Sequence, residues 1–389
     1  MGDTYYYGGD NGRRPRRRSL VGRAADGVLV MITVVAAVAL ALTLAAPYVA
    51  PGRAWVFPVL GLVAPAVYVG VVLLALYWIV RWRWARAVPL LLLLALGACR
   101  VSLFLKPDLR RHYGDEPKRG RGEIVLMTYN VRGFYGDRGQ TTTDSVASLI
   151  RREAPDVVCL QEFNKTAEGL VRFDSLLPGY YRTVYAPSVA AGRRNPVYRQ
   201  VVYSKFRILG KSHSILEPKS QNGRSIWVDL LAGDDTLRIF NNHLHSTSIT
   251  ASDDQFLSQH RFLTDTAGGE RIRNIFRRFR DNSEIRATEA DTIARVIAAT
   301  AGAKIVCGDF NDTPMSYVYR KMARGLDDAF RTCGTGYSHT FRGFLDALRI
   351  DYVLFSDDME CLSYRVLEEA EYSDHYPVVV RLRPRRSAR

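Results

Sequence analysis

The chain has 389 residues, with 54 Lys and Arg against 39 Asp and Glu and a formal charge of +15; at roughly 100–200 residues per domain this allows two or three units. An apolar share of 47%, with 30 Gly and 16 Pro, excludes a disordered, collagen-like or low-complexity chain. The charge is uneven: residues 1–122 carry 17 basic against 6 acidic side chains, and residues 123–380 carry 32 against 33, so the high pI does not describe a basic nucleic-acid-binding body.

Residues 1–26 are polar, then basic (Arg13, Arg14, Arg16, Arg17, Arg18), and predict a disordered tail. Residues 27–105 hold three apolar runs, 27–50, 54–80 and 87–105. Each is long enough for a bilayer crossing, which needs about 20 residues. Trp55 and Trp78 flank the second run as interfacial aromatics do. The third contains Arg100 near its end, from where the side chain can snorkel, and Pro89 in its first turn. Two further apolar runs after the first argue against a cleaved signal peptide. The basic cluster before the first run and the Arg81, Arg83, Arg86 turn after the second both belong on the cytoplasmic side. Three crossings then make a multi-pass integral membrane protein with its C-terminal body outside the cytoplasm and the lipid bilayer as a partner. If the third run does not cross, the body faces the cytoplasm.

Residues 106–122 are rich in Pro, Gly and charge and predict a linker. Residues 123–384 mix strand and helix signals. Buried strands are expected at 124–129, 156–160, 200–203, 225–231, 237–240, 304–307, 350–355 and 377–382, and helices at 143–153 and 284–299. The Arg-rich stretch 252–280 reads as a solvated face, either helical or irregular. Residues 385–389 form a short basic tail. The five cysteines suggest no disulfide framework and no zinc spacing: Cys159 and Cys307 lie in buried strands, and Cys333 and Cys361 stand alone.

Six apolar strands end in acidic, amide or imidazole groups: Asn130; Gln161-Glu162; Asn241-Asn242-His243; Gly308-Asp309-Phe310-Asn311; Asp351; and Ser373-Asp374-His375. Any one has a plain structural explanation, since Asn and Asp start turns and cap helices. Together they differ, because strand ends of a layered α/β fold converge on one rim. Carboxylates and amides supply hard oxygen donors for Mg²⁺, and histidines supply donors to a phosphate oxygen.

This ordered set resembles the endonuclease/exonuclease/phosphatase superfamily of metal-dependent phosphoesterases over residues 123–384, with Gly-Asp-Phe-Asn and Ser-Asp-His as its most specific motifs. The resemblance implies a four-layer α/β sandwich, two packed β-sheets flanked by helices. It implies Asn130, Glu162 and Asp374 as ligands of Mg²⁺, with Mn²⁺ able to replace it. It also implies His375 oriented by Asp351, His243 donating to a non-bridging phosphate oxygen, and Asp309 and Asn311 positioning nucleophile and phosphate. Asn241 and Asn311 are expected to contact substrate. Two departures from the family pattern, Arg132 after Asn130 and Arg199-Gln200 before Ser204, weaken a DNA-repair assignment. The expected function is a membrane-anchored, Mg²⁺-dependent phosphodiesterase or nuclease. A lipid or small-molecule phosphoester hydrolase is the alternative, and a non-catalytic membrane module the third. The substrate is a phosphoester of a nucleic acid or a lipid headgroup, and nothing in the sequence implies a protein partner.

Overall fold

The computed structural model describes residues 20–107, 119–185, 197–212, 214–216, 224–247, 252–253, 256, 268–343 and 346–385. Residues 1–19 of the expected tail lie outside them, whereas 20–26 are helix and not tail; most of the 106–122 linker and all of the 385–389 tail beyond Arg385 also lie outside.

Four helices come first: α1 (Leu20–Ala45), α2 (Val56–Leu62), α3 (Ala64–Val80) and α4 (Trp84–Val101). The segments Ala24–Tyr48 and Trp84–Val101 are each long and apolar enough to cross a membrane. The expected second span is not one straight helix. It bends by 71° between α2 and α3, where Pro65 sits in the first turn of α3 and supplies no N–H to continue α2. The third run also differs: α4 starts at Trp84, so Pro89 lies inside it, and Leu105–Lys106 is not helix but a two-residue strand, β1.

The remaining elements, in order, are β2 (Ile124–Asn130), α5 (Thr143–Glu153), β3 (Val157–Gln161), α6 (Ala167–Ser175), β4 (Tyr181–Tyr185), β5 (Gln200–Ser204), β6 (Ile208–Lys211), β7 (Arg224–Ala232) and β8 (Asp235–His243). Then come α7 (Gly268–Ala299), β9 (Lys304–Asp309), α8 (Tyr317–Met322), β10 (Asp327–Asp328), α9 (Ala329–Cys333), β11 (Gly336–Tyr337), β12 (Asp351–Phe355), β13 (Met359–Val366) and β14 (Val378–Pro384). One six-stranded sheet runs β13-β14-β2-β3-β5-β4 and the other β10-β12-β9-β8-β7-β6. In each, one central pair is parallel, β2 with β3 and β8 with β9.

Side-chain alternation sorts the strands into layers. From β2, Leu126 faces the other sheet with Val157, Ile239 and Val353, whereas Met127 and Tyr129 pack under α5 and α6 against Val146, Ile150 and Phe173. On the far side, Phe240, Val306 and Tyr352 meet Ile293 and Ile297 of α7 and Val318 of α8. Both sheets are thus covered on both faces, and the four layers are helix, sheet, sheet, helix.

The N-terminal apolar helices are built into this last layer. Ala64 and Leu103 are wholly or almost wholly buried in the same cluster as Phe310 and Met315. Thr313 Oγ1 donates to Gly61 O at 3.0 Å, and a Cβ on Gly61 would stand 2.7 Å from Met315 O, so only glycine fits that contact. A second correction concerns cysteine: Cys333 and Cys361 form a disulfide between α9 and β13. They are remote in sequence and lie on separate elements, so no short-range spacing marks them.

Candidate active site

Register alone assembles half of the site. Antiparallel β12 places Asp351 opposite Asp309, and parallel β8 places His243 opposite Asp309. Three strand ends thus set His243, Asp309 and Asp351 side by side. The glycine of Gly308-Asp309 is required there: its φ is +120°, and a Cβ would lie 2.0 Å from Asn242 O. The other sheet supplies Asn130 at the end of β2 and Glu162 just past β3, adjacent because β2 and β3 pair in parallel with Asn130 against Gln161. Asp374 and His375 come from the turn before β14. Ser373 ties that turn to β2, its hydroxyl donating to Asn130 O at 2.8 Å.

The two halves close on each other. Asn130 Nδ2 donates to Asp309 Oδ2 at 3.0 Å and to Glu162 Oε1 at 3.3 Å, and Asn130 Oδ1 accepts from the Arg132 amide. Asn311 donates twice to Asp309, from its backbone N at 2.8 Å and from Nδ2 at 3.0 Å. His375 Nδ1 lies 2.9 Å from Asp351 Oδ2, and its Nε2 lies 3.7 Å from Asp309 Oδ2. His243 Nε2 stands 3.3 Å from Glu162 Oε1 and 3.7 Å from Asp309 Oδ2. Neither contact has hydrogen-bond geometry, and this buried nitrogen has no partner within the protein.

These contacts set the charge states. Burial lowers the His375 pKa, but the charges of Asp351 and Asp309 and the bond to Asp351 outweigh it and raise it to about 10. Burial also opposes the cation on His243, and Glu162 with Asp309 reverses that and raises it. Burial raises Glu162, yet the close approach and charge of His243 dominate and hold it at about 2. Asp309 moves the other way: burial raises it to about 6, with His375 opposing and Asp351 adding.

A cavity of about 740 Å³ opens over this cluster, walled by Glu162, Asp309, Asn311, Asp374 and His375. Asn130, His243 and Asp351 stand behind that wall. Arg132, Glu162, Asn311 and Asp346 all face the cavity with φ between +45° and +53°. Such left-handed backbone in non-glycine residues is costly and concentrates where side chains must be aimed. Asn241 is not part of the cavity. It is fully buried between the sheets, its Nδ2 donating to Leu160 O and Val201 O and its Oδ1 accepting from Gln161 Nε2, so it bonds protein and not substrate.

Sequence reasoning missed several lining residues. Arg342 donates from its backbone to Asp374 O at 2.8 Å and pairs with Asp137 at 2.9 Å. Arg132 Nε lies 3.4 Å from Asp374 Oδ2. The Phe341 ring sits 5.0 Å from the His375 ring. Leu62, from the end of α2, also lines the cavity. Only Arg132 carried a signal, through its place beside Asn130.

The donor set suits a hard divalent cation. Glu162 and Asp374 are each about one-third exposed and face the cavity, and Glu162 is ionised over the whole physiological range. Asp309, Asp351 and His375 also bring one ligand atom each within 4.8 Å of one another, but they are buried and bonded among themselves.

The Endonuclease/Exonuclease/phosphatase family matches residues 127–375, and a domain of unknown function matches residues 26–101. No curated protein matches the chain. Among solved structures, an endonuclease/exonuclease/phosphatase from Beutenbergia cavernae DSM 12333 is 18% identical over 68% of this chain and 72% of its own, with a TM-score of 0.49. One from Bacteroides vulgatus is 20% identical over 68% and 99%, with a TM-score of 0.48. The mannosyl-6-phosphatase of Bacteroides thetaiotaomicron VPI-5482 is 19% identical over 67% and 99%, with a TM-score of 0.47.

Proposed function

Because the chain belongs to the Endonuclease/Exonuclease/phosphatase family and is a phosphoester hydrolase, we propose that it is a membrane-anchored, Mg²⁺-dependent phosphodiesterase whose substrate is a phosphoester presented at the bilayer. The observation that carries this reading is Leu62. The end of α2, a helix of the apolar N-terminal region, forms part of the cavity wall beside Glu162 and Asp309. A nuclease of bulk DNA has no use for a membrane segment in its cleft, whereas a lipid headgroup reaches such a cleft without leaving the leaflet. The near-neutral body supports the same choice, since duplex affinity comes largely from Lys and Arg.

In this reading Glu162 and Asp374, with Asn130 behind Glu162, hold the divalent ion, which polarises the phosphoryl oxygen when bound. Asp309 accepts the proton of the attacking water: it is raised toward neutrality and receives three fixed hydrogen bonds from Asn130 and Asn311. The water oxygen bonds to phosphorus as the ester P–O bond breaks. His375, held as a cation by Asp351, donates to a non-bridging oxygen, and His243 offers its unpartnered Nε2 to another. Asn311 keeps Asp309 in place.

The topology proposed has three crossings: α1, the bent α2–α3 pair, and α4. Arg81–Arg86 then faces the cytoplasm, and the catalytic body sits on the opposite side, where the ends of α1 and α4 pack against it. The Cys333–Cys361 disulfide favours that oxidising side. A reporter active only in the cytoplasm, fused after Arg389, should be silent.

The test of substrate uses the full chain, since Ala64 and Leu103 belong to the catalytic core. With Mg²⁺ in mixed micelles, lipid phosphodiesters should turn over faster than plasmid DNA or RNA. Preference for nucleic acid would return the nuclease reading.

A further inference from the structure

A second cavity, of about 530 Å³, lies at another junction of the two regions. Tyr48, Arg100 and Ser102 line it from the helical side, and Arg320 and Arg331 from the catalytic side. Tyr48 is the hub. The Arg320 guanidinium stacks 4.2 Å from its ring centroid and that of Arg100 5.2 Å from it, while Arg100 Nη2 donates to its hydroxyl at 2.7 Å. Across the seam, Arg331 Nε donates to Ser102 Oγ at 3.3 Å.

Three guanidiniums therefore converge on one cavity, and among the described residues none has a carboxylate within salt-bridge distance. The cavity's two acids do not cancel this charge. Asp328 is bonded to the buried Arg349 at 2.9 Å and to the Tyr319 hydroxyl at 2.7 Å, which leaves only Asp327. Like charges gathered beside low-dielectric protein repel, and an anion seated among them reverses the sign. Arginine forks and Tyr and Ser hydroxyls are the donors that hold a phosphate. Below the cavity, Cys99, Leu96 and Leu92 follow at helical spacing along one face of α4, all exposed, the leucines at 72% and 66%. An apolar strip leading away from a cationic cavity is the shape of a phospholipid.

We infer that this cavity binds the phosphate of an anionic phospholipid, with its acyl chains along the Cys99–Leu96–Leu92 face of α4. The site is separate from the catalytic cleft and joins the turn after α1 with α4, α8 and α9 through one headgroup, clamping the catalytic body to its leaflet. It rests on α1 and α4 lying in the bilayer, as proposed above.

The test uses the full chain in detergent with EDTA, which silences metal-dependent binding in the catalytic cleft. Thermal unfolding is followed while titrating dihexanoyl-phosphatidylglycerol, dihexanoyl-phosphatidylcholine or inorganic phosphate. Phosphatidylglycerol should raise the unfolding midpoint saturably, and the other two should not. Arg320→Gln with Arg331→Gln should weaken that binding by about tenfold or more, with turnover of a soluble chromogenic phosphodiester in Mg²⁺ unchanged. Equal protection by phosphatidylcholine, or by phosphate alone, overturns a lipid-phosphate site, and an unaltered response in the double variant overturns its location. If the double variant does not fold, Arg320→Gln alone decides, because that exposed side chain stacks on Tyr48 and makes no ion pair among the described residues. Carbonate extraction tests the anchoring separately: a chain that stays in the pellet but fails the titration refutes this site and leaves the membrane reading standing.

Discussion

The two sheets bring carboxylates of opposite character to the same cleft. On the β2–β3–β14 rim, Glu162 and Asp374 are about one-third exposed, and Glu162 is held fully ionised. On the β8–β9–β12 rim, Asp309 and Asp351 are 1% exposed and locked to histidines and amides. The first pair can give oxygen to a hydrated cation. The second cannot reach one without breaking its own bonds, and is suited to moving or fixing protons. Chemically identical side chains thus divide the work by burial and partners alone.

The strongest way to break that division is to remove one carboxylate from each rim. Glu162→Ala and Asp309→Ala should each lower turnover by about 10²–10⁴-fold, with the fold kept by circular dichroism, and EDTA should abolish turnover of the native chain. The two losses should then part. Raising Mg²⁺ or Mn²⁺ should restore much of the Glu162→Ala activity and none of the Asp309→Ala activity. Equal rescue of both would erase the distinction between the rims.

Next comes the pair that bridges the rims, Asp351 of the second and His375 from the turn before β14. Asp351→Asn and His375→Ala should each cut kcat by about 10²–10⁴-fold, and the double variant should be little worse than either. Metal affinity should hardly move in any of the three. Multiplicative losses would mean that His375 does not depend on Asp351 for its charge and tautomer, despite the 2.9 Å contact.

Much of this division was legible in the sequence, because buried strands that end in polar groups are visible as abrupt changes of residue type. Helix Thr143–Glu153 and most core strands lie within a residue or two of where periodicity puts them. Edge strands were not. Tyr181–Tyr185, Ile208–Lys211 and Met359–Val366 are missing from the strand candidates, and the last two bury little of their length, so they lack an apolar run. Helix α7 begins at Gly268 and not near Glu284, because its first turns are crowded with exposed arginines. The seam of Gly61 with Thr313 and the lining role of Leu62 joined residues about which local sequence says nothing. Asn241 misleads for the opposite reason: it shares a face of β8 with His243, two residues on, but lies deeper between the sheets, bonded to Leu160 O, Val201 O and Gln161.

A pH series separates the rims more gently. Asp309 must be deprotonated to accept a proton, and its folded pKa is raised to about 6, so kcat/KM should rise with pH through about 6. Glu162, depressed to about 2, is already ionised there, so its share of metal affinity should be flat across the same window. The stability signs oppose each other too. In the metal-free chain the raised Asp309 stabilises only at low pH and loses that contribution as pH rises through about 6. The depressed Glu162 stabilises above its unfolded value near 4.5 and loses that as pH falls. Metal affinity and rate that titrate together would show one group doing both tasks.

The smallest expected effect concerns what keeps the rims facing each other. Asn241 sits on β8 yet donates to Leu160 O on β3 and Val201 O on β5, and accepts from Gln161 of the opposite sheet at 2.7 Å. Gln200 Nε2 adds a donor to Asn241 O at 3.3 Å. Asn241 makes its side-chain bonds to the opposite sheet, while Gln161 Oε1 and Gln200 Oε1 have no protein partner, so Asn241 is the dowel that fixes one sheet against the other. Asn241→Ala leaves buried carbonyls and an amide short of partners, at about 1–3 kcal/mol. Chemical unfolding should show that loss, with KM for a soluble chromogenic phosphodiester nearly unchanged and kcat reduced only modestly as the His243 side drifts from Glu162. A variant with native stability and a much higher KM would put Asn241 back against the substrate, and the two rims would need some other tie.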